Sequence, residues 1–431
     1  MTEIGLPARR AAMDVLLAVR QGEPFDSALA RALTALGDAD KRLAHELAAG
    51  VLRRQNDLDA RLIPLVRHGW GNVEPALREI LRLGAYQMVA LDRVPTHAAV
   101  SPAVDLARSV GGSKAAGFVN ALLRNLGGRA AAPSLALNPA AHYAALYSHP
   151  EWLVARWLAA YGQDDTVALM EWNNTPPPLV LQPAREDDAA LEARWRAAGL
   201  EPARPTVAGW SSPARRPADV PGFADGAFIV QDPAHAMVVA FAGMAPGMTV
   251  YDACAAPGGK SIALGRRAGM VVSADRKLDR VRRLAENLAR AGSGREHAVV
   301  ADARNPPVAS VDVVLLDAPC LGTGTFARHP DARWKVSAAA LARLAERQGE
   351  LLQACADIVR PGGWLVYATC SLEPEENEHQ IEALLARDLR FERDPGDTVP
   401  AEFRTSSGDL QMLPFRHGTD GAYAARLRRH P

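Results

Sequence analysis

YDACAAPGGKS, residues 251–261, reads as the end of a buried strand, a turn of small residues and the start of a helix. The apolar, β-branched letters run up to Asp252. Ala255, Ala256, Pro257, Gly258 and Gly259 then allow close backbone approach, and Lys260 and Ser261 open the helix. From Phe228 onward the same strand–helix alternation repeats. Candidate strands are MTVYDA (248–253), VVSAD (271–275), HAVVA (297–301), DVVLLD (312–317), WLVYAT (364–369) and AYAARL (422–427). Amphipathic stretches such as LDRVRRLAENLARAG (278–292) and LARLAERQGELLQACADIV (341–359) lie between them. This alternation implies a Rossmann-like, doubly wound α/β sheet over 226–431. In such a sheet the strand C-termini face the ligand crevice.

Two thiols fall at such ends. Cys320 lies in LLDAPCLGTGTFARHPDARW (315–334) and Cys370 in LVYATCSLEPEENE (365–378). Cofactor loop and both cysteines are thus expected on one edge. The loop has neither G-x-G-x-x-G nor a full P-loop spacing, so neither a dinucleotide nor a nucleoside triphosphate is indicated. Small residues before a helix N-terminus suit a carboxylate. Asp275, closing the next strand, suits ribose hydroxyls, and Asp302, read as closing the third, suits a purine amino group. A carboxylate, a ribose and a purine together describe S-adenosylmethionine.

The thiols suit one reaction of that cofactor. Carbon 5 of a pyrimidine is a poor nucleophile until a thiolate adds to carbon 6 and makes it enamine-like. The adduct must then lose its carbon-5 proton and expel the thiolate, which a second group can assist. A nearby Lys or Arg would favour the thiolate. Asp317, three residues before Cys320, suits the base edge of cytosine. Cys355, on the apolar face of a helix, reads as a small buried hydrophobe.

Residues 1–130 read as all helix, with stripes such as Leu43, Leu47, Val51 and Leu77, Leu81, Met88. Ser101-Pro102 reads as a helix start, and Gly111-Gly112 as a break between two helices. The stretch from Gly127, GGRAAAPSLALNPAAH, reads as a linker. Residues 143–225 read as a small α+β subdomain with a strand in PPPLVLQPAR. A chain begun near Ala140 is expected to fold by itself.

The 431 residues balance 49 Lys+Arg against 49 Asp+Glu. A nucleic-acid partner is therefore not announced by global charge, although residues 1–130 carry 17 Lys+Arg against 13 Asp+Glu. Four cysteines, with no Cys/His ligand spacing, argue against a disulfide framework and a structural metal. No signal peptide or membrane span is visible, and the cytoplasm is the expected compartment.

DACAAPGGK, DAPCLGTG and YATCSLEPEENE resemble three motifs of the RNA cytosine-5 methyltransferase family, the Nop2/Sun group. The helical start, with PTHAAVSPAVDLAR and GFVNALLRN, resembles a NusB-like RNA-binding domain. Together they resemble bacterial enzymes that methylate 16S ribosomal RNA. The resemblance implies Cys370 as nucleophile and Cys320 as the group assisting release. It implies Cys254 to Lys260, Asp275, Asp302 and Asp317 around the cofactor, with Arg280 at a basic position. RNA, 16S ribosomal RNA first, is the implied partner. Transfer RNA, 23S ribosomal RNA, DNA, or a non-catalytic RNA-binding role are the alternatives; the Thr-Cys pair disfavours DNA. Leu321 stands where the family has serine, and Asp420-Gly421-Ala422-Tyr423 replaces a more aromatic motif.

Overall fold

The computed structural model describes residues 5–91, 95–127, 138–201, 203, 207–212 and 216–431. Of the linker read from Gly127, residues 128–137 lie outside them, while its end, from Pro139, is the start of a helix capped by Asn138 rather than linker. Two compact units emerge, residues 1–175 with 326–335, and residues 176–325 with 336–431.

The first unit is helical: α1 (Leu6–Arg20), α2 (Phe25–Ala32), α3 (Asp38–Arg53), α4 (Gln55–Leu62), α5 (Pro75–Ala90), α6 (Thr96–Gly127), α7 (Pro139–Tyr147) and α8 (Glu151–Asn174). The apolar stripes meet as one core in which Leu16, Leu47, Val51, Ile80, Leu81 and Leu123 are buried. Gly111 and Gly112 leave helical geometry, so α6 is two helices joined at a kink. Ser101-Pro102 does not start a helix. The helix begins at Thr96, after Pro95, whose carbonyl accepts from Ala98 N at 2.8 Å. Pro102 sits inside it, where one ladder bond is lost without ending the helix.

Residues 326–335 are folded into this unit. Arg333 is fully buried and its guanidinium donates to carbonyls or amide oxygens of Arg53, Ser148, Asn173, Asn174 and Phe326. Trp334 Nε1 donates to the Leu52 carbonyl at 2.9 Å, and Asp331 Oδ2 accepts from Phe25 N at 3.3 Å. Burial, with the charge of Arg53 adding, pushes Arg333 down to about 9.

The second unit opens with a small antiparallel sheet, β1 (Leu179–Pro183), β2 (Trp210–Ser212) and β3 (Phe228–Val230), in the order β2-β1-β3 and accompanied by α9 (Asp188–Ala197). Helix α10 (Pro233–Ala242) follows, capped by Asp232. Then come β4 (Thr249–Asp252), α11 (Gly259–Gly265), β5 (Met270–Asp275), α12 (Leu278–Ala291), β6 (Glu296–Val300), β7 (Val311–Asp317), α13 (Ala338–Asp357), β8 (Val359–Thr369), α14 (Glu378–Arg387), β9 (Phe391–Arg393), β10 (Leu410–Met412), α15 (Pro414–His417) and β11 (Ala422–Arg429). The main sheet runs β10-β11-β8-β7-β4-β5-β6, with β9 also on β11. Strands β4 to β8 are parallel; β11 is antiparallel to β8, β9 and β10. The Rossmann-like core expected from the alternation is present, with an antiparallel edge.

Sequence dictates this local order. In β7 the first six residues are buried, as a central parallel strand covered on both faces requires. In α12, Val281, Leu284, Leu288 and Ala291 form the buried stripe while Arg282, Arg283 and Glu286 stay outside it. Strand β4 pairs with both β5 and β7, so the chain winds outward in two directions from it. That reversal opens a crevice at the strand C-termini. Among the described residues no helix is long and apolar enough to cross a membrane, and no three His, Cys, Asp or Glu converge as metal ligands.

Candidate active site

A cavity of about 280 Å³ lies at this crevice, within the second unit. Cys254, Ala256, Asp275, Arg280, Asp302, Asp317, Cys320 and Cys370 all line it. Ala255, Pro257, Gly258, Gly259 and Lys260 do not; they shape the loop behind its wall.

The loop is anchored from several sides. Ala253 N donates to Leu315 O at 2.9 Å and Ala255 N to Ala274 O at 2.8 Å, tying it to the flanking strands. Arg280 Nη2 donates to the Ala256 carbonyl at 2.9 Å, and Asn287 Nδ2 to that of Pro257 at 2.9 Å. Gly258 has a φ of 107°, and a Cβ there would stand 2.7 Å from Leu284 Cδ1. Both the backbone conformation and the packing of α12 demand glycine.

Asp275 ends β5 and is buried. Its Oδ1 accepts from Lys277 N at 3.2 Å. Among the described residues its Oδ2 accepts no hydrogen bond, and it stands 3.3 Å from Arg280 Nη2. A buried carboxylate oxygen without a donor, on a cavity wall, fits a hydroxyl-bearing ligand. Asp302 does not end a strand, because β6 stops at Val300. It occupies the following turn, where Arg304 donates to it through N, Nε and Nη2 at 3.0, 3.2 and 2.8 Å. Those bonds hold its carboxyl down at about 2, against a smaller effect of burial.

Neighbouring parallel strands bring the thiols together. Asp317 of β7 pairs in register with Ala368 of β8, so the loops leaving both strands emerge side by side. The sulfurs of Cys320 and Cys370 are 3.4 Å apart. Cross-loop bonds fix them: Gly324 N to Cys370 O at 3.0 Å, and Leu372 N to Thr323 Oγ1 at 2.8 Å. Gly421 packs behind, its N donating to Gly324 O at 2.7 Å; a Cβ on Gly324 would meet Gly421 Cα at 2.6 Å.

The cation anticipated near the thiols is Lys260. Its Nζ donates to Asp317 Oδ2 at 2.7 Å and lies 3.2 Å from His235 Nδ1. Burial opposes its charge, but Asp317, then Asp252 and Cys370, outweigh burial and raise its pKa. Cys320 is pushed well above an ordinary thiol, first by its hydrogen bond with Cys370, then by burial and the charges of Cys370 and Glu376. Burial, with Asp317 and Asp252 adding, pushes Cys254 up to about 12, so it is a neutral wall residue. Cys355 is buried in the core, as its helical position implied.

Two contributors had no signal in the sequence. His235, one turn into α10, lines the cavity and meets Lys260. Glu376 lies in the quoted EPEEN run, yet nothing in the run says which carboxylate turns inward; Glu376 is fully buried.

Three family models match the chain. Residues 242–428 match the family model "16S rRNA methyltransferase RsmB/F", residues 6–127 that of the NusB family, and residues 149–206 a ferredoxin-like domain of RsmF/B-like methyltransferases. The chain is 33% identical to a "Probable ribosomal RNA small subunit methyltransferase B" of Synechocystis, covering 98% of this chain and 100% of that one. It is 35% identical to "Ribosomal RNA small subunit methyltransferase B" of Pseudomonas syringae, covering 97% and 96%. Among solved structures, "Crystal Structure of PH0851" shares the fold with a TM-score of 0.82 at 24% identity, covering 98% and 99%. NSun6 from Pyrococcus horikoshii, solved with SFG, has a TM-score of 0.59 at 17% identity, covering 65% and 98%.

Proposed function

This chain belongs to the 16S rRNA methyltransferase RsmB/F family, and from that premise we propose that it methylates carbon 5 of a cytosine in 16S ribosomal RNA through a covalent cysteine adduct. The observation that carries the reading is the pair of sulfurs 3.4 Å apart beside the Lys260–Asp317 ion pair. Two thiols in contact at the tips of adjacent strands suit a reaction that needs one attacking and one assisting group.

S-adenosylmethionine is the proposed cofactor, and when bound it supplies an electrophilic methyl group. Asp275, whose Oδ2 accepts no hydrogen bond, would hold its ribose hydroxyls, the loop from Cys254 to Lys260, braced by Arg280, would surround it, and Asp302, oriented by Arg304, would meet its base. Cys370 gives its electron pair to carbon 6 of the cytosine, with the Lys260 ammonium facing the sulfur. Asp317 holds the base edge. Cys320 assists departure of the Cys370 sulfur after methylation. The target base leaves its stack to reach the thiols.

Residues 1–130 act as the RNA-docking domain, 143–225 as a small α+β subdomain and 226–431 as the methyltransferase domain. The cytoplasm, where thiols stay reduced, is the compartment proposed.

Radiolabelled S-adenosylmethionine offered with separated RNA classes tests the reading. Label should enter 16S ribosomal RNA as 5-methylcytosine. Label confined to another RNA, or on another atom, would overturn it. Cys320→Ala should accumulate a protein–RNA adduct that survives denaturing electrophoresis, and Cys320→Ala with Cys370→Ala should form none.

A further inference from the structure

Two adjacent residues of the Cys370 motif, Glu376 and Asn377, grip the two thiol loops separately. The Glu376 carboxylate accepts from the N–H of Leu321, the residue after Cys320, at 3.0 and 3.2 Å. Gln348 Nε2 donates to that carboxylate at 3.0 Å and to the carbonyl of Pro319, the residue before Cys320, at 2.9 Å. Both neighbours of Cys320 are thereby held. Asn377 does the same for Cys370: its Oδ1 accepts from Thr369 Oγ1 at 2.5 Å and its Nδ2 donates to Ser371 O at 2.9 Å. Tyr367 Oη donates to the Glu376 carbonyl at 2.7 Å, locking the pair to β8.

Charge is divided along the same line. The charge of Lys260 bears on Cys370, whereas that of Glu376, whose carboxyl burial raises against the hydrogen bonds it accepts, bears on Cys320. A neighbouring anion opposes ionisation of a thiol. Cys370 and the buried Tyr367 also bear on Cys320, and of the charged groups Asp317 and Arg347 line the same cavity.

Building on the cytosine reaction above, we propose that Glu376 is a positioning residue that assigns the two sulfurs their duties: it fixes the Cys320 loop and keeps Cys320 a thiol, which donates its S–H to the Cys370 sulfur. Before attack, Cys370 carries the negative charge and Cys320 the proton. Cys370 forms the bond to carbon 6 and the charge passes into the ring; carbon 5 then bonds the methyl group as the methyl's bond to the donor's sulfonium sulfur breaks, that sulfur leaving as a neutral thioether with the pair. Water takes the carbon-5 proton. The electrons of that C–H bond restore the ring double bond, the C6–S bond breaks, and the departing sulfur keeps its pair. The Cys320 S–H then meets that returning charge. Cys320 retains its proton throughout, and one proton is released to water per methyl group transferred.

The test uses the full chain without RNA or cofactor. Iodoacetamide labelling of each cysteine is followed by peptide mass spectrometry from about pH 6 to about pH 10, spanning the ordinary thiol range. In the wild type, Cys320 should label more slowly than Cys370 throughout; the reverse order would sink the proposal without any variant. Glu376→Gln keeps an acceptor for Leu321 N but removes the charge. It should move the Cys320 labelling profile to lower pH and leave that of Cys370 unchanged. A thiol that ionises one pH lower labels about tenfold faster on the rising limb of its profile. Glu376→Asp, which restores the charge, should return the profile toward wild type. An unaltered Cys320 profile in folded Glu376→Gln overturns the proposal. Absence of 5-methylcytosine with the labelling order intact overturns the reaction above instead.

Discussion

Lys260 and Asp317, 57 residues apart in sequence, share a hydrogen bond of 2.7 Å between Nζ and Oδ2. One charge-assisted bond thus ties the glycine loop after β4 to the tip of β7, and so the proposed cofactor loop to the proposed base-binding carboxylate.

Lys260→Met should therefore leave the fold intact and cost about a hundred- to a thousandfold in methyl transfer, the scale for losing one preorganised charge at a reacting centre. Single-turnover transfer to 16S ribosomal RNA measures it. Near wild-type turnover would remove Lys260 from the chemistry.

Asp275 should matter for binding. Asp275→Ala is expected to weaken S-adenosylmethionine by about 1.5–3 kcal/mol, the range for hydrogen bonds to a charged group. Calorimetry on the folded variant checks it, and unchanged affinity would take Asp275 out of the site.

Asp252 gives a pH dependence of stability. Burial pushes its carboxyl up to about 7, with the Ser261 hydrogen bond opposing and the Asp317 charge adding. A carboxyl whose pKa is higher folded than unfolded contributes stability that is complete below the unfolded value and is lost as pH rises through the folded one. Relative to Asp252→Asn, the wild type should thus lose stability between about pH 5 and about pH 8. Urea unfolding of both proteins at the two pH values decides this; parallel slopes would contradict it.

Residues 326–335 change what truncation should do. A chain begun near Ala140 removes the Arg53 carbonyl from Arg333, the Leu52 carbonyl from Trp334 and the Phe25 amide from Asp331. It should aggregate or unfold at lower urea than the full chain, contrary to the sequence expectation. Within the full chain, Arg333→Met should cost roughly 1.5–3 kcal/mol, because several buried acceptors lose a charged donor. Wild-type stability in that variant would show that the network is dispensable.

The sheet was legible because its central strands are uninterrupted β-branched runs, and the site because its residues sit at the ends of those runs. What stayed hidden depends on contacts distant in sequence. FARHPDARWK reads locally as a polar loop, and only the fold reveals Arg333 as fully buried in the helical unit. The apolar letters of β6 run on to Ala301 and so suggest a strand reaching Asp302, while pairing with β5 ends at Val300. Proline favours the first turn of a helix, which makes Ser101-Pro102 look like a start, yet the helix tolerates Pro102 internally. Burial of Glu376 rather than Glu375 is set by α13 and the Cys320 loop, which lie far away along the chain.

The interleaved course of the chain also bears on its birth at the ribosome. The first unit is encoded up to Thr175 but lacks its last piece until Lys335 has been made, some 160 residues later. At about 5–20 residues per second that interval is roughly 8–30 s. For that time the carbonyls of Arg53, Ser148 and Asn173 have no Arg333 to meet. The N-terminal helices therefore emerge first and finish late, and a nascent chain paused within the second unit would carry them open.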